Sequence, residues 1–331
     1  MLIDTHAHIN LHAFKDDADE VMQRSLAAGV VVINVGTEYN TSKQAADMLA
    51  QYPEHVYAAV GLHPSHTYDN PHLDENESAT RTGAEYFNTS KYRSIAQHPK
   101  VVGIGECGLD YYRLPESHES GSVNHEAIKK LQKDAFMEQI RLAQELDKAL
   151  IVHCRPSKGT VDAYEDVLAI ISNFQFLISN EGSDLSGTPP HEEGQGEVIV
   201  KNVNTSKVSM TPSNSPLRGG GKELRFEIHS FTGPLEVAQK FIELGGYIGL
   251  NGIITFDKTG NMETVVKGVP LEHIVLETDS PYLAPSPHRG KRNEPLYVQA
   301  VAEKIAEWKQ CTVEAVALHT SENAKRLFKL E

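Results

Sequence analysis

Ile3-Asp4-Thr5-His6-Ala7-His8 reads as a β-strand that ends in two histidines. Side chains at i and i+2 of a strand point to one side, so Asp4, His6 and His8 share a face. Two imidazoles so placed aim two nitrogens at one point, as a metal ion requires. The stretch decides the fold because similar runs keep returning. Short, β-branched or apolar segments recur at Val30–Val35, Val56–Gly61, Val101–Glu106, Ala149–His153, Leu224–His229, Tyr247–Leu250 and His273–Thr278. They are nearly continuously apolar, as parallel strands buried on both faces should be. Helical patterns occupy Asp16–Ala28, Thr41–Gln51, Asn124–Leu146, Pro234–Leu244, Glu294–Lys309 and Thr312–Phe328. Eight strands with helices between them predict an α/β chain folded as a (β/α)8, or TIM, barrel, one domain over residues 1–331.

Two polar stretches interrupt the rhythm after strands three and five. His66–Ser90 is too long for an ordinary strand-to-helix loop. In Asn173–Gly221, 18 of 49 residues are Gly, Pro or Ser. Such a composition buries little apolar area, so residues 173–221 are expected to be a flexible insertion. Glu197–Val203 is the one part of it that suits a hairpin strand.

The chain has 331 residues, 40% of them hydrophobic, which suits a large buried core. The net charge of −14 argues against a broad electrostatic footprint on nucleic acid or anionic membrane. A polyanionic substrate therefore needs local compensation. Three cysteines make a disulfide framework unsuited and point to a reducing compartment. No apolar run is long enough to span a bilayer, and a cytoplasmic protein without membrane partners is expected.

Six ligand-type side chains stand at predicted strand ends: His6, His8, Glu106, His153, His229 and Asp279. In a (β/α)8 barrel the C-terminal ends of all strands meet on one rim, where active sites form. Four imidazoles and two carboxylates can hold two divalent ions, with Glu106 placed to bridge them. Mixed nitrogen and oxygen ligation suits Zn, Mn, Fe or Co better than an all-oxygen cage. Two ions, with Zn, Mn, Mg and Co as candidates, are the expected cofactors. Such a pair clamps the attacking and leaving oxygens of a phosphate displacement. Asp279 then serves as ligand and general base, removing a proton from the attacking water. Cys107 and Cys154 follow ligands by one residue, which turns them away into the core. Neither a covalent catalytic triad nor a phosphate-cradling glycine loop is present.

Four segments resemble the TatD-type deoxyribonucleases of the amidohydrolase superfamily. They are Asp4-Thr5-His6-Ala7-His8, Gly105-Glu106-Cys107-Gly108-Leu109-Asp110-Tyr111-Tyr112-Arg113, Val152-His153-Cys154-Arg155 and Ile228-His229-Ser230-Phe231-Thr232-Gly233. The string Glu277-Thr278-Asp279-Ser280-Pro281-Tyr282-Leu283-Ala284-Pro285, running on to Pro287-His288-Arg289-Gly290-Lys291-Arg292-Asn293-Glu294-Pro295, is similar as well. The resemblance covers the chain apart from its polar insertions. It implies a metal-dependent hydrolase that cleaves phosphodiester bonds in DNA, 3'-5' exonuclease action included. It also implies that His6, His8, Glu106 and Asp279 hold one metal, and Glu106, His153 and His229 the other. The chain departs from the family in the long His153-to-His229 spacing and in Cys107 and Cys154, which stand where Ile and Ser are expected.

His63, ending strand three, resembles a family position near the substrate phosphate. Arg113 and Arg155 lie just past metal-bearing strands, and a guanidinium fork fits phosphate oxygens. Arg289, Lys291 and Arg292 form the dense basic cluster of the chain, a candidate phosphate clamp. The expected partner is DNA or another phosphodiester, and the oligomeric state is open. An alternative keeps the metals and changes the bond, to amide or ester hydrolysis such as that of a D-aminoacyl-tRNA deacylase. A non-enzymatic scaffold that uses the inserted segment is a third reading.

Overall fold

Buried apolar runs become parallel strands because each can be covered on both faces, by the barrel interior within and by helices without. The computed structural model describes residues 1–70, 74–78, 83–115, 124–181 and 223–330. Eight strands follow one another around a single parallel sheet: β1 (Leu2–Ala7), β2 (Val30–Val35), β3 (Val56–Val60), β4 (Val101–Asp110), β5 (Ala149–Arg155), β6 (Phe226–His229), β7 (Tyr247–Leu250) and β8 (Ile274–Leu276). The segment after β8 returns to β1 and closes the ring. His8 N–H donates to Ser280 O at 2.8 Å and Asp279 N–H to His6 O at 2.8 Å. The chain is a (β/α)8 barrel, as its strand rhythm predicts.

The helices are α1 (Ala18–Ala27), α2 (Tyr39–Met48), α3 (Thr89–Ala96), α4 (His125–Leu146), α5 (Asp162–Glu181), α6 (Leu235–Glu243), α7 (Asn261–Gly268), α8 (Val298–Lys309) and α9 (Val313–Phe328). Side-chain oxygens of Asn124 and Thr312 accept from Ala127 N and Ala315 N, which caps α4 and α9. The sequence reading omits α3, α5 and α7. Helices α3 and α7 have eight residues each, too few for a clear period. Helix α5 runs through 173–181, where composition places the start of the insertion. The remainder of that insertion, Glu197–Val203 included, lies outside the described residues.

Two apolar layers result. A large one lies between strands and helices. A small one fills the barrel: Ile3, Val31, Ile33, Val35, Ala59, Val102, Ala149, Ile151 and Val275, joined by Ala324, Leu327 and Phe328 of α9. The last turn of α9 thus plugs the barrel at the strands' N-terminal ends. The opposite mouth is left for chemistry.

Register shifts interrupt the strand pairing at three places, between Ala58 and Ala59, between Asp4 and Ala7 and between Ile104 and Cys107, and the last two bear on the site. Ile3 lies in the inner layer, whereas Ala7 and Asp4's partner Val32 lie in the outer one. The bulge therefore puts Asp4 and His6 on opposite faces, contrary to simple alternation. Asp4 accepts from Thr278 N at 2.9 Å and from Thr278 Oγ1 at 2.6 Å, and helps to close the barrel. On β4 the shift falls at Gly105–Glu106, while Ile104 and Cys107 both join the outer layer. Glu106 is thereby aimed inward at the mouth.

Candidate active site

At the strands' C-terminal mouth lies a cavity of about 300 Å³. Its lining includes His8, His63, Glu106, Arg113, His153, Arg155, His229 and Asp279. Glu106, from the bulge in β4, stands at the centre. Its Oε2 is 3.4 Å from His6 Nε2 and 3.7 Å from His8 Nε2. Its Oε1 is 2.8 Å from His153 Nδ1, 3.5 Å from His63 Nε2 and 3.8 Å from His229 Nε2. Asp279 Oδ1 lies 3.5 Å from His8 Nε2 and 3.8 Å from His229 Nε2. The six residues singled out at strand ends thus converge, and each oxygen of Glu106 faces a different set of imidazoles.

Hydrogen bonds outside the cluster set the imidazole tautomers. His8 Nδ1 lies 2.9 Å from Val35 O, and a carbonyl only accepts, so the proton sits on Nδ1. His229 Nδ1 lies 2.8 Å from Glu277 Oε2 with the same consequence. In the neutral rings both Nε2 lone pairs then point inward, the arrangement that a metal-binding histidine takes from its supporting partner. His6 Nε2 and His8 Nε2 approach to 3.0 Å, and buried His6 Nδ1 has no hydrogen-bond partner. These donors fit divalent cations. His63 is wired the other way. Its Nδ1 accepts from Ser65 N at 3.1 Å, so the proton is on the Nε2 that faces Glu106. That makes His63 a donor to an oxygen rather than a lone-pair ligand.

Burial and charge oppose each other here. Burial pushes His6 down to about 3, helped by neighbouring His229. Burial likewise takes His63 down to about 3 against the pull of Glu106. For His229 burial is outweighed by Glu277 and Asp279, which raise it to about 10. Burial would raise Glu106, but His63, His153 and His6 hold it well below the carboxylate range. Asp279 is also lowered, because His229 and His8 outweigh its burial. Both carboxylates are ionised at neutral pH.

A model of TatD-related DNases matches residues 3–329. The chain belongs to that family. A metal-dependent hydrolase of Bacillus subtilis (strain 168), named YabD and uncharacterized, is 34% identical over the full length of both chains. The 3'-5' ssDNA/RNA exonuclease TatD of Citrobacter rodentium is 28% identical, covering 99% of this chain and 97% of that one. Among solved structures, the TatD homolog YJJV of Escherichia coli k12 superposes with a TM-score of 0.68 at 22% identity. That alignment covers 100% of this chain and 98% of the other, and speaks to the fold. This TatD-related chain is therefore a metal-dependent hydrolase. No helix among its described residues is long and apolar enough to cross a membrane.

The TatD-type strings held more of the site than the strand-end reading took from them. Asp110 Oδ2 lies 3.1 Å from His153 Nε2, and Glu277 orients His229. Both residues stand inside the TatD-type strings, as carboxylates near a candidate ligand, and that position is the signal for them in the sequence. Cys107 is buried in the outer layer, and Cys154, also buried, touches the cavity. Burial raises both thiols. The basic cluster goes elsewhere, since Arg289, Lys291 and Arg292 are absent from the cavity lining. Arg292 Nη1 pairs with Asp17 at 2.8 Å, and Arg289 lies 3.8 Å from the centre of the Phe256 ring. A local carboxylate and an aromatic face satisfy these guanidiniums where the loop leaves the mouth.

Proposed function

We propose that the protein is a nucleic-acid phosphodiesterase acting from strand ends, with 3'-5' exonuclease action as its specific form. The observation that carries this reading is Glu106, whose two oxygens face separate imidazole sets in a cavity also lined by Arg113 and Arg155. His6, His8, Glu106 and Asp279 would hold one divalent cation, and Glu106, His153 and His229 a second. Bound there, the cations supply Lewis acidity to a phosphoryl oxygen and bring the pKa of water toward about 7. Asp279, ionised and facing His8 and His229, takes the proton of the attacking water. His63 donates its Nε2–H to a nonbridging oxygen. Arg113 and Arg155 offer planar forks to the flanking phosphates, the local compensation that a chain of net charge −14 needs. The name of the Citrobacter rodentium relative supports the nucleic-acid substrate.

The test is hydrolysis of end-labelled linear and closed circular single-stranded DNA with Mn, Mg, Zn or Co, by the natural protein and by Glu106→Gln. Cleavage of linear strands, shortened from the 3' end, should fall at least about a hundredfold in the variant, beyond what loss of a ligand's supporting partner costs. Unchanged cleavage by Glu106→Gln sinks the site. A second reading draws on Asp74 and Glu77, carboxylates on the same cavity wall that suit a cationic amine. It is hydrolysis of an aminoacyl ester or amide. Turnover of a D-aminoacyl-tRNA with none of any phosphodiester would select it.

A further inference from the structure

Tyr112 is a large aromatic left 51% exposed beside a buried reaction site. It is held firmly for an exposed residue. Asp110 Oδ1 accepts from Tyr112 N at 3.0 Å and from Arg113 N at 2.9 Å, while its Oδ2 faces His153. Tyr68 Oη donates to Arg113 O at 3.0 Å, and Tyr111 N–H to Arg155 O at 2.8 Å. One carboxylate therefore positions both the backbone carrying Tyr112 and a candidate metal-binding imidazole. Arg155 lines the cavity, and its guanidinium carbon sits 4.2 Å from the centre of the Tyr112 ring. Arg113 lines the cavity from the same turn. The outer edge of the mouth thus carries a planar cation laid on an aromatic face, with a second cation beside it.

We infer that Tyr112 and Arg155 form a stacking platform for the nucleobase next to the bond being cleaved. The inference rests on the phosphodiesterase reading above. Aromatic rings and guanidinium planes stack any base, because every base has a π-face. Arg113 and Arg155 attract the adjoining phosphates. In a duplex the same faces are already stacked on neighbours, so an unpaired end reaches the platform at least cost. The platform recognises a base without reading its identity, so little sequence preference follows.

The experiment compares a single-stranded oligonucleotide with the same strand carrying abasic sites at its terminal nucleotides, using the natural protein, Tyr112→Ala and Tyr112→Trp. On the normal strand Tyr112→Ala should raise KM by about tenfold, the effect of one lost stacking contact, with kcat changed less than about twofold. On the abasic strand the two proteins should be alike, and Tyr112→Trp should restore KM on the normal strand. An unchanged Tm shows that the exposed substitution left the fold intact. Equal losses on both strands, or no loss on the normal one, overturn the platform while leaving the phosphodiesterase intact. If the natural protein cleaves neither strand, the phosphodiesterase reading fails and the platform falls with it.

Discussion

A histidine's partner on its far nitrogen decides what the near nitrogen can do. In the neutral rings Val35 O and Glu277 turn the lone pairs of His8 and His229 into the cavity, whereas Ser65 turns a proton of His63 into it. Residues of one type at one rim thereby present a lone pair in two cases and a proton in the third. Glu277 also accepts from Ser230 N at 2.7 Å and from Asn251 Nδ2 at 3.2 Å, so it is fully engaged and rigid. Glu277→Gln keeps the shape and removes the charge that fixes the His229 tautomer. Metal affinity, measured by chelator competition, should drop about 10–100-fold. An affinity within twofold of the natural protein would mean that His229 needs no such support.

Strand β4 shows how an element places a residue. Gly108, at φ +132°, follows the bulge, and a Cβ there would lie 2.1 Å from His153 O. Only glycine lets β4 and β5 approach closely enough to set Glu106 beside His153. Gly108→Ala should therefore cost about 1–3 kcal/mol or more. It should also weaken metal binding, both read from denaturant midpoints with and without added metal. The turn at 74–78 also borders the cavity. It is held by His66 Nε2 to Glu77 Oε1 at 2.9 Å and by Tyr282 Oη to Asp74 Oδ2 at 2.9 Å. Burial would raise Glu77, but His66 and Thr37 bring it from 4.5 down to about 2. Its contribution is complete above 4.5 and fades as pH falls toward 2. Burial would lower His66, but Glu77 raises it above 6.5, so its contribution is complete below 6.5 and fades as pH rises through the raised value. Opening of this turn, from hydrogen exchange corrected for intrinsic rate, should be rarest between pH 4.5 and 6.5. Glu77→Gln should flatten that profile, and a profile already flat in the natural protein rejects the ion pair as the anchor.

For the whole molecule, the candidate ligands come from β1, β4, β5, β6 and the segment after β8, so cations held by them would cross-link the barrel. A ligand bound only by the folded state stabilises it by about 2.7 kcal/mol at a hundredfold excess over Kd. At roughly 2–4 °C per kcal/mol, chelation should lower Tm by several degrees, and added metal should restore it. In Glu106→Gln the chelator should change Tm little. Equal Tm with and without metal in the natural protein would mean that the mouth holds its shape unaided.

The sequence alone determined the barrel, because parallel strands buried on both faces must be written as short apolar runs, and eight such runs with helices between them leave few architectures. It also determined which six side chains meet, since every strand end of a barrel shares one rim. Its alternation rule erred at Asp4, because a bulge shifts the phase of β1 by one residue and no propensity marks where. Short α3 and α7 hold too few residues for a clear period, composition masks the end of α5, and the roles of Asp110, Glu277 and Tyr112 rest on partners distant in sequence. Only the tertiary structure decided that Arg292 turns to Asp17 while Arg155 lies on Tyr112 at the mouth. A guanidinium takes the partner within reach, and reach is a property of the folded chain.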